Sequence, residues 1–337
     1  MTERSALQNP WLRAWRRFKG NRLGYRSLQL FLALTLLSLF AEVLSNDKPL
    51  LVRYNGHWYV PQVQRLPETT FGGEFLSPTD FLDPFIRKQL ARPGNFALFP
   101  PNRYHHSTIN YFSREPNPAP PSGQNWIGTD DRGRDLLARL LYGFRLSVLF
   151  AFAVTIVCTL AGVVYGAIQG YFAGWTDIAM ERFVEIWGAM PTLYLLIIFS
   201  AFFAPSVGLL VALISIFGWL MIAAYVRAAR ALGQRNRVII FKHILPNCLT
   251  PVITLIPFEM AGAIGALTSL DFLGLGVPEG TPSLGELLAQ GKNNLDAWWI
   301  SLATFTVLVF TLVLLILVGD ALRDALDPRK EIAGEAP

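Results

Sequence analysis

Charged residues are scarce in this chain of 337 residues, since Asp, Glu, Lys and Arg make up 16% of it, against about 25% in a typical soluble protein. Cysteine is scarcer still, since Cys158 and Cys248 are the only two. No Cys/His cluster accompanies them in the sequence. This excludes a disulfide framework and gives no reason to expect a zinc site. Hydrophobic residues make up 52%, and the mean hydropathy of +0.37 favours a membrane protein that carries one polar insert.

Three long stretches without any charge show where membrane spans lie. They hold 31, 41 and 23 residues and begin after Arg145, Glu185 and Asp296. A helix that crosses the hydrocarbon core needs about 20 apolar residues, so the stretches predict one, two and one spans. The 41-residue stretch must turn back once, and residues 204–208, with a proline and a glycine, suit that turn.

Two weaker spans, at residues 27–44 and 249–270, bring the total to six. The first has a basic flank but no small-residue cleavage site, so we interpret it as a retained anchor and not as a signal peptide. The second is interrupted by Pro251, Pro257 and Glu259. The predicted fold is an all-α integral membrane protein with six transmembrane helices.

The basic residues predict the orientation. Residues 1–26 hold seven basic residues and one acid, and residues 225–248 hold five basic residues and no acid. Short basic segments stay cytoplasmic, so both termini are predicted inside. The net charge of +5 then reflects topology and anionic lipid, not nucleic-acid binding. Residues 45–140 are predicted to form a periplasmic lobe, 141–325 a five-helix core, and 326–337 a cytoplasmic tail.

Glycine recurs at every fourth position of the second predicted span, at Gly162, Gly166 and Gly170. Small residues at this spacing let helix backbones approach closely in a membrane. The pattern predicts tight packing of this helix against a neighbour.

Two acids lie in or near the fifth predicted span. Glu259 is close to its middle, and Asp271 is close to its outer end. An acid in the middle of a span costs about 2.5–3.5 kcal/mol and marks a pathway or a buried partner. Both are therefore candidate substrate-path residues, and an alternative function is a proton-coupled secondary transporter that uses them. The alternative structure is that Pro257 breaks the helix and Glu259 pairs locally.

The sequence contains no defensible catalytic motif. Residues 285–293 resemble a phosphate loop, but five residues separate the glycines instead of four, and Asn293 replaces the Ser or Thr that holds magnesium. We therefore expect no enzyme activity, no cofactor and no metal in this chain.

The most informative segment joins the fourth and fifth spans. It reads Arg-Ala-Ala-Arg-Ala-Leu-Gly from Arg227 to Gly233, and after nine residues His-Ile-Leu-Pro from His243 to Pro246. Strong helix formers that end in glycine predict a short helix, a turn and a second, basic amphipathic helix at the inner membrane face. Its smooth alanine face suits a protein groove.

This pattern resembles the EAA loop of ABC importer permeases, in which Glu-Ala-Ala, three residues, Gly, nine residues and Ile-x-Leu-Pro form the helix that docks in the ATPase. Arg227 stands in place of the Glu, and His243 in place of the Ile. The positions that match, and that the resemblance assigns to ATPase coupling together with Arg227, are Ala228, Ala229, Gly233, Leu245 and Pro246. Residues 128–143, 268–276 and 319–328 are similar to the C subunits of dipeptide and oligopeptide permeases, and the long outer insert is similar to the YejE-type group.

The resemblance implies a type I ABC importer permease core in the bacterial inner membrane, which forms half of a path for oligopeptides or microcin C-like peptides. It implies three partners: a second permease subunit, a cytoplasmic ABC ATPase that would hold ATP and Mg²⁺, and a periplasmic peptide-binding protein. One departure stands out, because roughly a dozen residues that the family has before the Ala-Ala motif are missing here. At 1.5 Å per helical residue this shortens the connection by roughly 18 Å and changes the docking geometry.

Overall fold

A computed structural model of the chain describes residues 10–111, 115–172, 174–230 and 245–327. Helices dominate these residues. In chain order they are α1 (Pro10–Gly20), α2 (Arg22–Leu39), α3 (Ala41–Leu44), α4 (Pro84–Leu90), α5 (Leu136–Phe172), α6 (Gly174–Gly188), α7 (Thr192–Phe202), α8 (Val207–Arg230), α9 (Leu245–Phe272), α10 (Leu284–Asn293) and α11 (Trp298–Leu326).

Four helices in the described residues are long and apolar enough to cross a membrane: α5, α8, α9 and α11. Helix α2 is not among them, because Arg22, Arg26 and Gln29 lower the hydropathy of its 18 residues. Helix α7 has 11 residues, and its length of about 16 Å is short of the 30 Å hydrocarbon core. The membrane fold is therefore confirmed, whereas the count of six spans stays a prediction.

The turn predicted at residues 204–208 is confirmed, since α7 ends at Phe202 and α8 begins at Val207. A second break, which was not predicted, separates α6 from α7. Helix α6 ends at Gly188, and Pro191 precedes α7, where its missing N–H costs nothing. The uncharged stretch after Glu185 therefore forms two helices of unequal length.

Helix α9 runs without a break through Pro251 and Pro257. The alternative in which Pro257 breaks the helix is therefore wrong. Proline is tolerated inside membrane helices because neighbouring groups can satisfy the freed carbonyl. Glu259 consequently lies on a regular helix.

Contacts between Cα atoms divide the chain into two units. Among the described residues, the first unit contains residues 10–34, 147–279 and 307–327, and the second contains residues 35–146 and 280–306.

The second unit contains a small antiparallel sheet that was not predicted. Its order is β2 (His57–Tyr59), β1 (Leu51–Tyr54), β3 (Phe96–Leu98). Alternation along β1 buries Val52 and Tyr54 and exposes Arg53. The buried strand side chains pack with Phe71, Phe81, Ile86 and Leu90. The lobe therefore has a core of its own, as its aromatic content allows.

Candidate functional site

The predicted coupling segment begins on the fourth predicted span itself. Helix α8 continues from Val207 to Arg230, so Arg227, Ala228 and Ala229 lie on its last turns. No glycine or proline interrupts the sequence between Gly218 and Gly233, which explains why the expected short helix is a continuation of α8.

The remaining coupling positions are described only in part. Gly233 lies outside the described residues, and so does His243. Leu245 and Pro246 are the first two residues of α9. Proline is well suited to this place, because the N–H it lacks would have no partner in the first turn of a helix.

Arg227 binds two carboxylates of α6. Its Nε lies 2.7 Å from Asp177 Oδ1, its Nη2 donates to Asp177 Oδ2 at 2.9 Å, and its Nη1 lies 2.6 Å from Glu181 Oε2. Gln169 of α5 donates to the same Glu181 oxygen at 2.7 Å. This cluster was not predicted, although the two acids, spaced four residues apart on one helix face, were a signal for it.

Glycines bring α5 against α8 just before Arg227. A Cβ atom on Gly162 would lie 2.6 Å from Ile222 Cβ, and one on Gly166 would lie 2.5 Å from the carbonyl oxygen of Ala223 and 2.8 Å from Val226 Cβ. Any side chain at these positions would meet the neighbouring helix. The tight packing predicted from the glycine repeat is therefore confirmed at Gly162 and Gly166.

Glu259 is half-buried on α9 and makes no hydrogen bond or ion pair with the described residues. Beside it, Gly262 and Gly265 have open space where a Cβ would lie. Gly262 lies about 60° from Glu259 around the helix and Gly265 about 120°, whereas Ala263, four residues after Glu259, is buried. The α9 surface on the Gly262 side of Glu259 is therefore open in the described part of the chain, and the Ala263 side is covered.

Asp271 is buried at the end of α9, where its Oδ1 accepts a hydrogen bond of 2.7 Å from the Val277 backbone N–H. Gly276 lies so close to this carboxylate that a side chain would overlap it. The structure thus gives Asp271 a contact that shapes the turn after α9, and its place in a substrate path stays a prediction.

In the second unit, buried charges surround Arg139 on the first turn of α5. The Arg139 side chain is 0% exposed, and it binds Glu286 through Nη2 and lies 3.3 Å from Asp130 Oδ2 through Nε. Arg134 completes the cluster, with Nε 2.6 Å from Asp130 and Nη2 3.4 Å from Glu286. Arg139 also donates to the backbone carbonyls of His106, Gly280 and Thr281. The cluster joins three segments distant in sequence.

His106 lies against this cluster. Burial lowers the pKa of its imidazole to about 4, and the nearby His105, Arg139, Arg145 and Arg134 lower it as well. Its ring lies 4.8 Å from that of Tyr142. His106 is therefore neutral at physiological pH.

We expect the stability of the protein to decrease as the pH falls from 6.5 toward 4. The folded-state pKa of His106 lies below its ordinary value, so the unfolded chain takes up this proton first and acid favours unfolding. The thermal midpoint of the protein in detergent, measured across this range, should fall less for His106→Gln than for the wild type.

The exposed His57 of the same unit gives a matched control, His57→Gln, which should keep the wild-type dependence. Asp131 and Asp135, whose pKa burial raises, titrate in all three proteins and cancel in the comparison. An unchanged slope in His106→Gln would refute the assignment.

Two protein-family models match parts of this chain. Residues 223–332 match the family described as binding-protein-dependent transport system inner membrane component, and residues 9–61 match the N-terminal TM domain of oligopeptide transport permease C. Within the described ranges, no group of three or more His, Cys, Asp or Glu residues is placed to hold a metal.

Three curated relatives are similar over most of their length. The chain is 46% identical to the inner membrane ABC transporter permease protein YejE of Escherichia coli (strain K12), over 94% of this chain and 97% of that protein. It is 45% identical to the peptidoglycan transport system permease protein YejE of Agrobacterium fabrum, over 96% and 95%. It is 32% identical to the oligopeptide transport system permease protein OppC of Bacillus subtilis (strain 168), over 69% and 81%.

Proposed function

Because this chain belongs to the family of ABC transporter permeases that includes the YejE proteins, we propose that it is one of two permease subunits of an ATP-driven peptide importer. In this proposal a cytoplasmic ABC ATPase supplies the energy and a periplasmic binding protein delivers the peptide. Residues 45–140 form the periplasmic lobe, residues 141–325 the core, and both termini, with the tail at 326–337, are cytoplasmic. The substrate class rests on the names of relatives, which include oligopeptide and peptidoglycan transport systems.

The continuity of α8 is the observation that carries the coupling role. The helix links Ala228 and Ala229 to the membrane bundle without a hinge, and α5 packs on it at Gly166. ATP-driven closure of the ATPase would push on these alanines and on Gly233, Leu245 and Pro246. A rigid helix transmits such a push to the bundle, whose rigid-body motion would give alternating access.

The open side of α9 supports a role for Glu259 in the translocation path. An unpaired carboxylate in a membrane helix is costly, and it is normally directed to a cavity or a partner. Glu259, half-buried beside the open surface at Gly262, would attract the ammonium group of a peptide. Asp271, which binds the Val277 N–H, would support this end of the path.

The partners can be identified by affinity purification of the tagged chain in mild detergent. We expect an ABC ATPase and a second permease to co-elute, and we expect the complex in vesicles to take up peptide only with ATP and a binding protein. Uptake by this chain alone without ATP, lost in Glu259→Gln, would instead support the proton-coupled secondary transporter.

The coupling role predicts that a bulky residue at Ala229 or Gly233 abolishes uptake. In Ala229→Leu or Gly233→Leu, peptide uptake by the complete transporter should fall at least about tenfold, because a misfit in the ATPase groove removes the push, and a factor of ten corresponds to only 1.4 kcal/mol. Membrane insertion, measured by the amount of chain in the membrane fraction, should survive.

Ala179→Leu is the matched control, since Ala179 is exposed on α6 and is assigned no role. It should keep wild-type uptake. Normal uptake in both coupling variants would rule out the coupling assignment.

A further inference from the structure

The ion pairs of Arg227 suggest a role that the EAA resemblance does not contain. The EAA pattern has an acid at this position, whereas here the base at 227 meets two acids of another helix. Helix α6 thus supplies the negative charge that the coupling segment lacks. We refer to Asp177, Glu181 and Arg227 as the clasp.

The clasp lies between the membrane bundle and the coupling residues. On one side, Val226 is next to the contact with Gly166, and on the other, Ala228 and Ala229 follow directly. Any displacement of these alanines must therefore pass the point where α8 is bound to α6. The hydrogen bond from Gln169 to Glu181 extends this connection to α5.

The geometry of the clasp fits a role in positioning Arg227 better than a role in folding stability. The guanidinium uses three nitrogens on three carboxylate oxygens, a fork that fixes direction as well as distance. The three side chains are 27–35% exposed, and ion pairs with this much exposure contribute little to folding stability.

We propose that Asp177 and Glu181 are positioning residues that hold Arg227, so that the push of the ATPase moves α6 together with α8. The inference rests on the proposed importer function. It adds α6 to the moving part of the transporter and assigns a role in coupling to two acids outside the coupling segment.

The test uses the complete transporter in vesicles, with peptide uptake and ATP hydrolysis measured in the same preparation. The neutralised variant carries both Asp177→Asn and Glu181→Gln. In this variant we expect the amount of peptide transported per ATP hydrolysed to fall at least fivefold while ATP hydrolysis continues. Arg227→Asp alone should also lower this ratio. The exchanged pair, which carries Arg227→Asp together with Asp177→Arg, should recover at least half of the ratio lost in Arg227→Asp. Arg182→Gln, which removes an exposed α6 charge outside the clasp, is the control and should keep the wild-type ratio.

Three outcomes would overturn the inference: an unchanged ratio in the neutralised variant, a parallel fall of uptake and hydrolysis that leaves the ratio constant, or an exchanged pair no better than Arg227→Asp. If the neutralised variant fails to assemble, the exchanged pair decides the question by itself. A wild-type complex without ATP-dependent uptake would contradict the proposed function instead.

Discussion

Arg139→Met is expected to destabilise the second unit by about 3–5 kcal/mol, the usual cost of removing one partner from a buried ion pair. The Arg139 side chain is completely buried, and Asp130, which it faces, is equally inaccessible. Methionine has a similar length but no donor, so the charge of Asp130 would keep only Arg134, and Glu286 would lose its closest partner. The thermal midpoint of the purified protein should fall clearly.

Arg132→Met gives the matched control, because Arg132 is exposed in the loop that carries Asp130 and Arg134. Exposed substitutions usually change stability by less than about 0.5 kcal/mol. A further variant, Arg139→Met/Glu286→Gln, should recover part of the loss, because the uncompensated negative charge is removed with its partner. If Arg139→Met and Arg132→Met had equal midpoints, Arg139 would not be the centre of the cluster.

The sequence predicts those features that local periodicity determines. Uncharged length identified three of the four apolar helices, namely α5, α8 and α11, whereas α9 was predicted only as a weaker span. A proline and a glycine marked the turn at residues 204–208, and glycine spacing marked the face of α5 that packs on α8. The alternative in which Pro257 breaks α9 was wrong, because a proline that would break a helix in a soluble protein is accommodated in a membrane helix.

The small sheet could have been predicted from one local signal. Asn55 and Gly56 both adopt positive φ between β1 and β2, and Asn-Gly between two alternating runs is a strong hairpin signal. The buried cluster could be predicted only in part. Asp130 and Arg134 are four residues apart, but 147 positions separate Arg139 from Glu286, and no sequence pattern relates residues so distant.

In the coupling region, too, local patterns could be predicted and long-range contacts could not. The predicted coupling alanines and Gly233 follow a local sequence pattern, whereas the clasp depends on how α6 packs against α8. Asp177 and Glu181 can be recognised in the sequence as a pair on one helix face, but no sequence pattern indicates which base they meet. Arg227 is 46 residues or more from both, and only packing brings them together.

Gly166→Leu is expected to separate α5 from α8 and to cost at least about 3 kcal/mol, the upper part of the range for overpacking. The added Cβ alone would lie 2.5 Å from the carbonyl oxygen of Ala223. Because this oxygen belongs to the backbone, no side-chain rotation can relieve the overlap, and the helices themselves must shift. The thermal midpoint should fall, and ATP-dependent uptake should be lost, because Arg227 would leave its carboxylates.

A graded series makes this test specific to the helix contact. Gly166→Ala should already lower the midpoint, since its Cβ meets the same oxygen, and Gly166→Leu should lower it further. Ala161→Leu places the same side chain on an exposed position of α5 and should have little effect. Equal midpoints for Gly166→Leu and Ala161→Leu would mean that α5 and α8 do not meet at this glycine. A loss in the Gly166 variants alone would establish that this contact, which brings Arg227 to α6, is a requirement of the bundle.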